Sequence, residues 1–242
     1  FSRRRMNCED GANPSTWDLK KRFNHGTPRT AFKPVFTKNR PPRTALTPRP
    51  SDNCHLPTDN SRPTMPLIHS FPPVATPQAQ TLILGSMPGG ASLRAGEYYA
   101  HPRNLFWPIL GELVGAYPAL PYPRRLECLT EAGIALWDVL LCCEREGSLD
   151  GSIAPATIVA NDFKDFFTRH PQIRRVFFNG AMAESSFRRH VLKSLPAASK
   201  GIVYERLPST SPANASYSFA RRLDAWRAVT RDIHEGAQRS ST

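Results

Sequence analysis

Several features are missing from this 242-residue sequence, and each absence narrows what the chain can be. No apolar run reaches the roughly 18 residues that a transmembrane helix needs, and no apolar segment typical of a secretory signal follows the N-terminal arginines. The five cysteines form no CxxC pair, which argues against a zinc site, an iron–sulfur cluster or a framework of structural disulfides. We therefore expect no metal, no cofactor and no membrane partner.

Acidic residues are also few. The chain has 32 Lys and Arg against 20 Asp and Glu, a net charge of +12 and a pI near 10. This balance favours a polyanionic partner, nucleic acid first. The charge is uneven, because residues 1–65 alone hold 13 basic and 5 acidic residues.

Residues 1–75 are predicted to be a disordered, basic extension rich in Pro and Arg, because no helical or strand period persists there and the apolar content is low. Two interpretations stay open for this extension. It either grips DNA phosphates loosely or has no function of its own. The remaining region, 76–238, is predicted to be one folded catalytic domain.

From Gln80 onward, apolar strand-like runs alternate with amphipathic helical segments. We predict strands at 80–85, 134–141, 173–180 and 201–209, and helices at 104–115, 123–132, 161–170, 181–195 and 216–236. Strands that alternate with helices indicate an α/β fold, a three-layer α/β/α domain around a short four-stranded parallel sheet.

Ligands of such sheets bind beyond the carboxyl ends of the strands. We therefore expect the ligand-binding residues in the loops 85–104, 179–183 and 208–216. The glycine-rich start of the first loop lacks the GK[ST] ending of a P-loop and the GxGxxG spacing of a dinucleotide site.

Tyr99 could instead stack on a base, or one of the pair Tyr98 and Tyr99 could simply pack inside. Asn104 could cap a helix, orient a water molecule, or do both. The loop 208–216 suits a DNA phosphate or is an ordinary strand–helix connection.

Two segments resemble the motifs of a known family. GSMPG at 85–89, followed by GEYYAHPRNLFW, resembles the first motif of the uracil-DNA glycosylase superfamily. LPSTSPANA at 207–215 resembles its second motif, the loop that enters the DNA minor groove. Together with LWDVL, GSLD and FFNG, these segments are most similar to the hypoxanthine (deoxyinosine) DNA glycosylase branch.

The resemblance implies roles for particular residues. Asn104 would be the catalytic amide, Tyr99 would stack on the flipped base and Asn179 would read its edge. Gly85, Ser86 and Met87 would line the base site. The DNA-contacting residues would be Ser209, Ser211, Pro212, Ala213 and Asn214.

One residue departs from the family pattern. The mismatch-specific branch has a catalytic Asn where this chain has Met87, and a thioether cannot orient a water molecule through a strong hydrogen bond. The resemblance to the deoxyinosine branch implies that Asn104 supplies the catalytic amide instead, with backbone groups at the Met87 site. Pocket roles for Asp138 and His101 stay open.

The activity implied is that of a monofunctional DNA-deoxyinosine glycosylase in base excision repair. The alternatives are a uracil or xanthine DNA glycosylase and a damaged-DNA binder without activity. We expect a monomer that acts on double-stranded or single-stranded DNA containing a deaminated base. Its expected location is the cytoplasm of a bacterial-type cell, on the nucleoid when it is bound to DNA.

Overall fold

A four-stranded parallel sheet forms the centre of the computed structural model, which describes residues 65–196, 199 and 201–231. Most of the predicted extension, 1–75, lies outside these described residues. The chain forms the strands β1 (Leu67–His69), β2 (Thr81–Gly85), β3 (Ile134–Asp138), β4 (Leu140–Glu144), β5 (Val159–Ala160), β6 (Arg175–Asn179) and β7 (Val203–Leu207). The parallel sheet has the order β3-β2-β6-β7.

The two faces of this sheet bury separate apolar clusters, which confirms the predicted three-layer α/β/α architecture. Every residue of β2 is buried, as expected for a central parallel strand. Leu82 and Leu84 belong to the cluster on one face, and Ile83 belongs to the cluster on the other. This alternation follows from the two-residue period of a strand.

The helices lie on both faces of the sheet and agree broadly with the predicted segments. They are α1 (Gly90–Ala95), α2 (Phe106–Val114), α3 (Tyr122–Glu131), α4 (Phe163–Arg169), α5 (Ala181–His190) and α6 (Phe219–Trp226). Asp162 caps α4 by accepting a hydrogen bond from the Asp165 N–H at 3.0 Å. The short helix α1 was not predicted, and α6 gives way to a 3₁₀ turn over Arg227–Thr230 inside the segment predicted as one helix.

The segment 134–141, predicted as one strand, is divided between two sheets. The break falls at Val139, whose N–H donates to the Gly85 carbonyl, while the Leu140 N–H donates to the Ser86 carbonyl. These bonds turn the chain out of the parallel sheet. β4 then forms an antiparallel sheet with β1 and β5.

The second sheet corrects three sequence expectations. Leu67–His69, placed in the disordered extension, forms β1, because β4 offers it a complete antiparallel partner. The strand predicted to end at residue 141 continues as β4 to Glu144. Cys142 is disulfide-bonded, against the expectation of no structural disulfide, whereas Cys128 and Cys143 are free.

Between 65 and 231, no helix is both long enough and apolar enough to cross a membrane.

We expect the truncation Leu82→Ala to lower the free energy of unfolding by about 2–5 kcal/mol, because Leu82 is fully buried in β2 and the truncation leaves a cavity. Leu192→Ala is the matched control, since Leu192 is exposed and its truncation should change stability by less than about 0.5 kcal/mol. Urea unfolding followed by circular dichroism measures both. Equal losses in the two variants would contradict the assignment of β2 to the core.

Candidate active site

An open cavity of about 710 Å³ lies at the carboxyl edge of the parallel sheet. This is within the usual size range of ligand pockets. Three strand ends meet there, Gly85 of β2, Asp138 of β3 and Asn179 of β6. The three loops singled out in the sequence surround it, because parallel strands place their following loops at the same edge.

The glycine-rich loop after β2 presents mainly backbone to the cavity. Met87 is buried within one of the two apolar clusters and offers no hydrogen-bonding group of any strength. The Ser86 hydroxyl donates to Asp150 Oδ1 at 2.8 Å, and the Gly90 N–H donates to Ser148 Oγ at 2.9 Å. The loop is therefore held from one side by the segment 145–153.

Gly85 allows a carboxyl group to approach the backbone closely. A Cβ at this position would lie 2.3 Å from Asp138 Oδ1 and 3.0 Å from Tyr99 Oη. Such contacts are too short for any side chain, so this approach requires glycine. A carboxyl oxygen from the end of β3 and a phenol oxygen from the loop after β2 therefore meet at the end of β2.

The two adjacent tyrosines have different environments. Tyr98 is buried, its hydroxyl donates to the Pro72 carbonyl at 3.2 Å, and its own carbonyl accepts from Trp107 Nε1 at 2.8 Å. Tyr99 lines the cavity and stacks on Phe106, with ring centroids 3.9 Å apart. Both tyrosines border the cavity, but Tyr98 belongs to a core cluster, whereas Tyr99 is only partly buried and packs against that cluster.

Tyr99 has an unusual backbone and an unusual hydroxyl group. Its φ of 55° lies in the left-handed region, which costs a bulky residue on the order of 1–3 kcal/mol. Its hydroxyl is buried and makes no hydrogen bond of good geometry to any described residue, although Asn179 is near enough to favour the ionised form slightly. Burial, with a smaller contribution from Asp138, raises the pKa of Tyr99 well above its ordinary value. Strain and unmet hydrogen-bonding capacity of this kind cluster at functional sites.

Asn104 lies two residues before α2 and borders the cavity. Its Oδ1 accepts from the Phe106 N–H at 2.9 Å and so satisfies the first N–H group of the helix. The N-cap position itself is Leu105 and not Asn104, which one interpretation of the sequence expected there. The Asn104 N–H donates to the His101 carbonyl at 2.8 Å, and His101 Nδ1 accepts from the Arg103 N–H. The bond to the Phe106 N–H fixes the carboxamide and leaves its NH₂ group for the cavity.

Asn179 joins the third strand end to the loop after β7. Its Nδ2 donates to Thr210 Oγ1 at 2.9 Å, and its Oδ1 accepts from the Thr210 N–H at 2.8 Å. The carboxamide keeps one N–H and one lone pair for other partners. Asn179 therefore supports the loop and still borders the cavity.

The loop 208–216 is tied down at both ends and exposed at its tip. Trp226 Nε1 donates to the Pro208 carbonyl at 2.9 Å, and Arg222 Nη2 donates to the Asn214 carbonyl at 2.8 Å. Pro212 and Ala213, between these anchors, are exposed. The loop is a rigid projection at the rim of the cavity.

Two carboxyl groups border the cavity, and burial raises the pKa of both. Burial, with help from the negative charge of Asp150, raises the pKa of Asp138 to about 8 against the opposing effect of Arg145. Burial also raises the pKa of Asp150, although the Ser86 hydroxyl and Arg145 oppose this effect. The Arg145 guanidinium donates to the backbone carbonyls of Pro88 and Gly147.

All eleven residues predicted for the site border this one cavity: Gly85, Ser86, Met87, Tyr99, Asn104, Asn179, Ser209, Ser211, Pro212, Ala213 and Asn214. His101 and Asp138, whose place was left open, border it as well. Asp150 and Thr210 border the cavity too. Asp150 is the last residue of the GSLD segment, and the sequence left open whether it meets DNA or Arg145. Thr210 lies inside the second motif, and no role was predicted for it.

No group of three or more His, Cys, Asp or Glu side chains suited to a metal ion occurs among residues that the structure describes.

Comparison with known proteins gives consistent matches. The family model of the uracil DNA glycosylase superfamily matches residues 72–233. A hypoxanthine DNA glycosylase of Methanosarcina acetivorans is 35% identical over 164 residues, which cover 66% of this chain and 96% of the relative. A protein of the same name from Methanosarcina barkeri is 41% identical over 111 residues, 46% of this chain and 69% of the relative.

A solved structure agrees with these matches. It is a solution NMR structure of a protein from Methanosarcina acetivorans that is provisionally assigned as a uracil DNA glycosylase. It superposes with a TM-score of 0.58 at 34% identity and covers 69% of this chain and 99% of its own. Since the family model spans both motifs and every strand of the parallel sheet, this chain belongs to the uracil DNA glycosylase superfamily.

Proposed function

We propose that this protein is a monofunctional DNA glycosylase that hydrolyses the N-glycosidic bond of deaminated bases in DNA, hypoxanthine first. The observation that carries the proposal is the juxtaposition, in one cavity, of the Tyr99 ring and the Asn104 carboxamide at the carboxyl edge of the sheet. The names of the two Methanosarcina relatives support hypoxanthine as the substrate.

The Tyr99 ring is suited to receive a base that has left the duplex. Phe106 supports one face of the ring, so the ring is held in position before a base arrives. Flipping a base out costs a few kcal/mol, least at a damaged or mismatched pair. Stacking on an aromatic ring offsets this cost by about 1–3 kcal/mol.

Asn104 is the best candidate to act on the glycosidic bond. Its Oδ1 is fixed by the Phe106 N–H, so its NH₂ group has one preferred direction. That group can donate to the attacking water or to the departing base, where negative charge develops. Met87 can do neither, which leaves the carboxamide of Asn104 to supply this polar contact.

The remaining polar groups of the cavity would read the base. Asn179 retains a free N–H and a free lone pair after its two bonds to Thr210. A purine lactam presents an acceptor and a donor side by side, which a carboxamide matches. Gly85 and Ser86 would border the base at the end of β2.

The loop 208–216 would contact the DNA. Its tip at Pro212 and Ala213 is exposed and small, which suits close approach to a minor groove. Ser209, Ser211 and Asn214 would place hydroxyl and amide groups near the phosphates. One chain supplies every group of this site, so we propose that a monomer acts on DNA, whether double-stranded or single-stranded.

The test is a duplex labelled on one strand with a single deoxyinosine, incubated with the protein and then treated with alkali to cleave abasic sites. We expect cleavage at inosine, and parallel duplexes with uracil or xanthine rank the substrates. Faster cleavage at uracil or xanthine would shift the assignment within the family. Salt-dependent binding with no cleavage of any duplex would favour a non-catalytic damaged-DNA binder.

The variant Asn104→Ala should lower the single-turnover rate about 100-fold or more, with little change in DNA affinity, because the amide acts mainly when charge develops. Asn104→Ser is the matched control for the bond to the helix start, since a serine hydroxyl can accept the Phe106 N–H. It should restore thermal stability without restoring the rate. Full activity in Asn104→Ala would remove this residue from the mechanism.

The variant Tyr99→Ala should weaken binding to a duplex with an uncleavable deoxyinosine analogue by about 1–3 kcal/mol, because the base loses its stacking partner. Tyr99→Phe keeps the ring and should bind like the wild type. Fluorescence anisotropy measures the affinity of each variant for this duplex and for an undamaged duplex, and the difference between the two is the part of the affinity that is specific for the base. Unchanged discrimination in Tyr99→Ala would show that the base does not rest on this ring.

A further inference from the structure

The carboxyl group of Asp138 has no assigned role so far, yet it occupies the floor of the cavity. The residue is 3% exposed and ends strand β3, directly beside Gly85 of β2. Its Oδ2 is buried and makes no hydrogen bond to any residue that the structure describes. An unmet polar group at such depth is costly, and a ligand that completes its hydrogen bonds would remove that cost.

A second oxygen without a partner lies next to it. Tyr99 Oη is also buried and unbonded within the described part of the chain, and it lies on the same side of Gly85 as the other carboxyl oxygen, Asp138 Oδ1. Because the hydroxyl end of Tyr99 lies near Asp138, a base lying on the Tyr99 ring would extend its outer edge toward the carboxyl group. The geometry thus directs Asp138 at the base rather than at the sugar.

The charged and titratable groups around Asp138 favour its neutral form. Arg145 is the nearby cation, but its Nη2 and Nε donate to the Pro88 and Gly147 carbonyls. Asp150 adds a repelling negative charge from the same segment as Arg145. The other facing groups are the phenols Tyr98, Tyr99 and Tyr122.

At neutral pH Asp138 therefore carries its proton. Burial raises its pKa to about 8, so the carboxylic acid predominates at pH 7. A neutral carboxylic acid offers one O–H donor and one carbonyl acceptor side by side. An ionised carboxylate would offer acceptors only.

We propose that Asp138 is a further catalytic residue, which binds the extruded base as a neutral acid. Its O–H donates to the exocyclic carbonyl oxygen of the base, and its other oxygen accepts the neighbouring ring N–H. The proposal rests on the glycosylase function above and assigns the paired contact with the lactam edge to Asp138, which leaves Asn179 to contact polar atoms of the base beside that edge. Deamination creates this edge, because it replaces an exocyclic amino group by a carbonyl and leaves a proton on the adjacent ring nitrogen.

The same contact would help the base to leave. As the glycosidic bond breaks, electron density moves into the base, partly onto the exocyclic oxygen. A hydrogen bond from the Asp138 O–H strengthens as that charge grows, whereas an ionised carboxylate would repel it. The active form is therefore the protonated one, and rising pH removes it.

The test compares single-turnover rates of the wild type, Asp138→Asn and Asp138→Leu on a deoxyinosine duplex between pH 6 and 9. The wild-type rate should fall with the loss of the proton above about pH 8. Asp138→Asn keeps one donor and one acceptor and cannot ionise, so it should retain at least one-tenth of the rate at pH 7. Asp138→Leu should lose at least 100-fold, and Asp165→Asn, an exposed carboxylate on α4, should match the wild type.

The fall in cleavage rate at alkaline pH distinguishes the titration of Asp138 from that of the substrate, because titration of hypoxanthine itself affects every variant equally. The Asn variant should therefore show a shallower fall than the wild type. If Asp138→Asn loses as much rate as Asp138→Leu, or titrates like the wild type, the role of Asp138 is overturned while the glycosylase function stands. A wild type that cleaves no deaminated base would overturn both.

Thermal unfolding without DNA tests the protonation state independently of activity. The folded-state pKa of about 8 lies above the ordinary value of 3.8, so stability from this group is complete below about pH 4 and is lost as pH rises to about 8. Asp138→Asn has no such loss. The Tm of Asp138→Asn minus the Tm of the wild type should therefore increase between about pH 4 and about pH 8. A difference in Tm that stays constant over this range would contradict a buried neutral acid at position 138.

Discussion

The parallel pairing of β2 with β3 and β6 is the constraint on which the whole site depends. It brings Gly85, Asp138 and Asn179 to one edge of the sheet, although they are far apart in the sequence. The missing side chain of Gly85 then lets the Asp138 carboxyl group lie against the backbone. The hydrogen bonds that turn the chain at Val139 also end β3 at Asp138. The same bonds therefore divide the two sheets and place the Asp138 carboxyl group on the floor of the cavity.

The groups around the cavity fall into two kinds. Asn179 and the loop 208–216 are bound to their neighbours and give the cavity a fixed shape. Tyr99 Oη and Asp138 Oδ2 are buried without a hydrogen bond within the described residues, and Tyr99 also has a strained backbone. The protein thus keeps unfavourable features where a base would lie and compensates for them in the surrounding core. A flipped base that supplied the missing hydrogen bonds would bind without a large rearrangement.

Much of this arrangement could be predicted from sequence, because apolar runs mark the strands and parallel strands share the edge where ligands bind. Tyr99, Asn104 and Asn179 could therefore be expected at this edge, where they do border the cavity, and their roles stay predictions. The break at Val139 could not be predicted, since it depends on hydrogen bonds to Gly85 and Ser86 rather than on any local signal. The raised pKa of Asp138 could not be predicted either, because it depends on burial and on the placement of Asp150 and Arg145. The strand Leu67–His69 was hidden by its polar, proline-rich surroundings.

The central claim is that the cavity holds an extruded deaminated base on the Tyr99 ring, with its edge toward the strand ends. The most direct measurement is a crystal structure of the protein bound to a duplex that carries an uncleavable deoxyinosine analogue. The account predicts hypoxanthine stacked on Tyr99, within hydrogen-bond distance of Asp138 and close to Asn104. A hypoxanthine that remains stacked in the duplex, or one bound on another face of the protein, would contradict it.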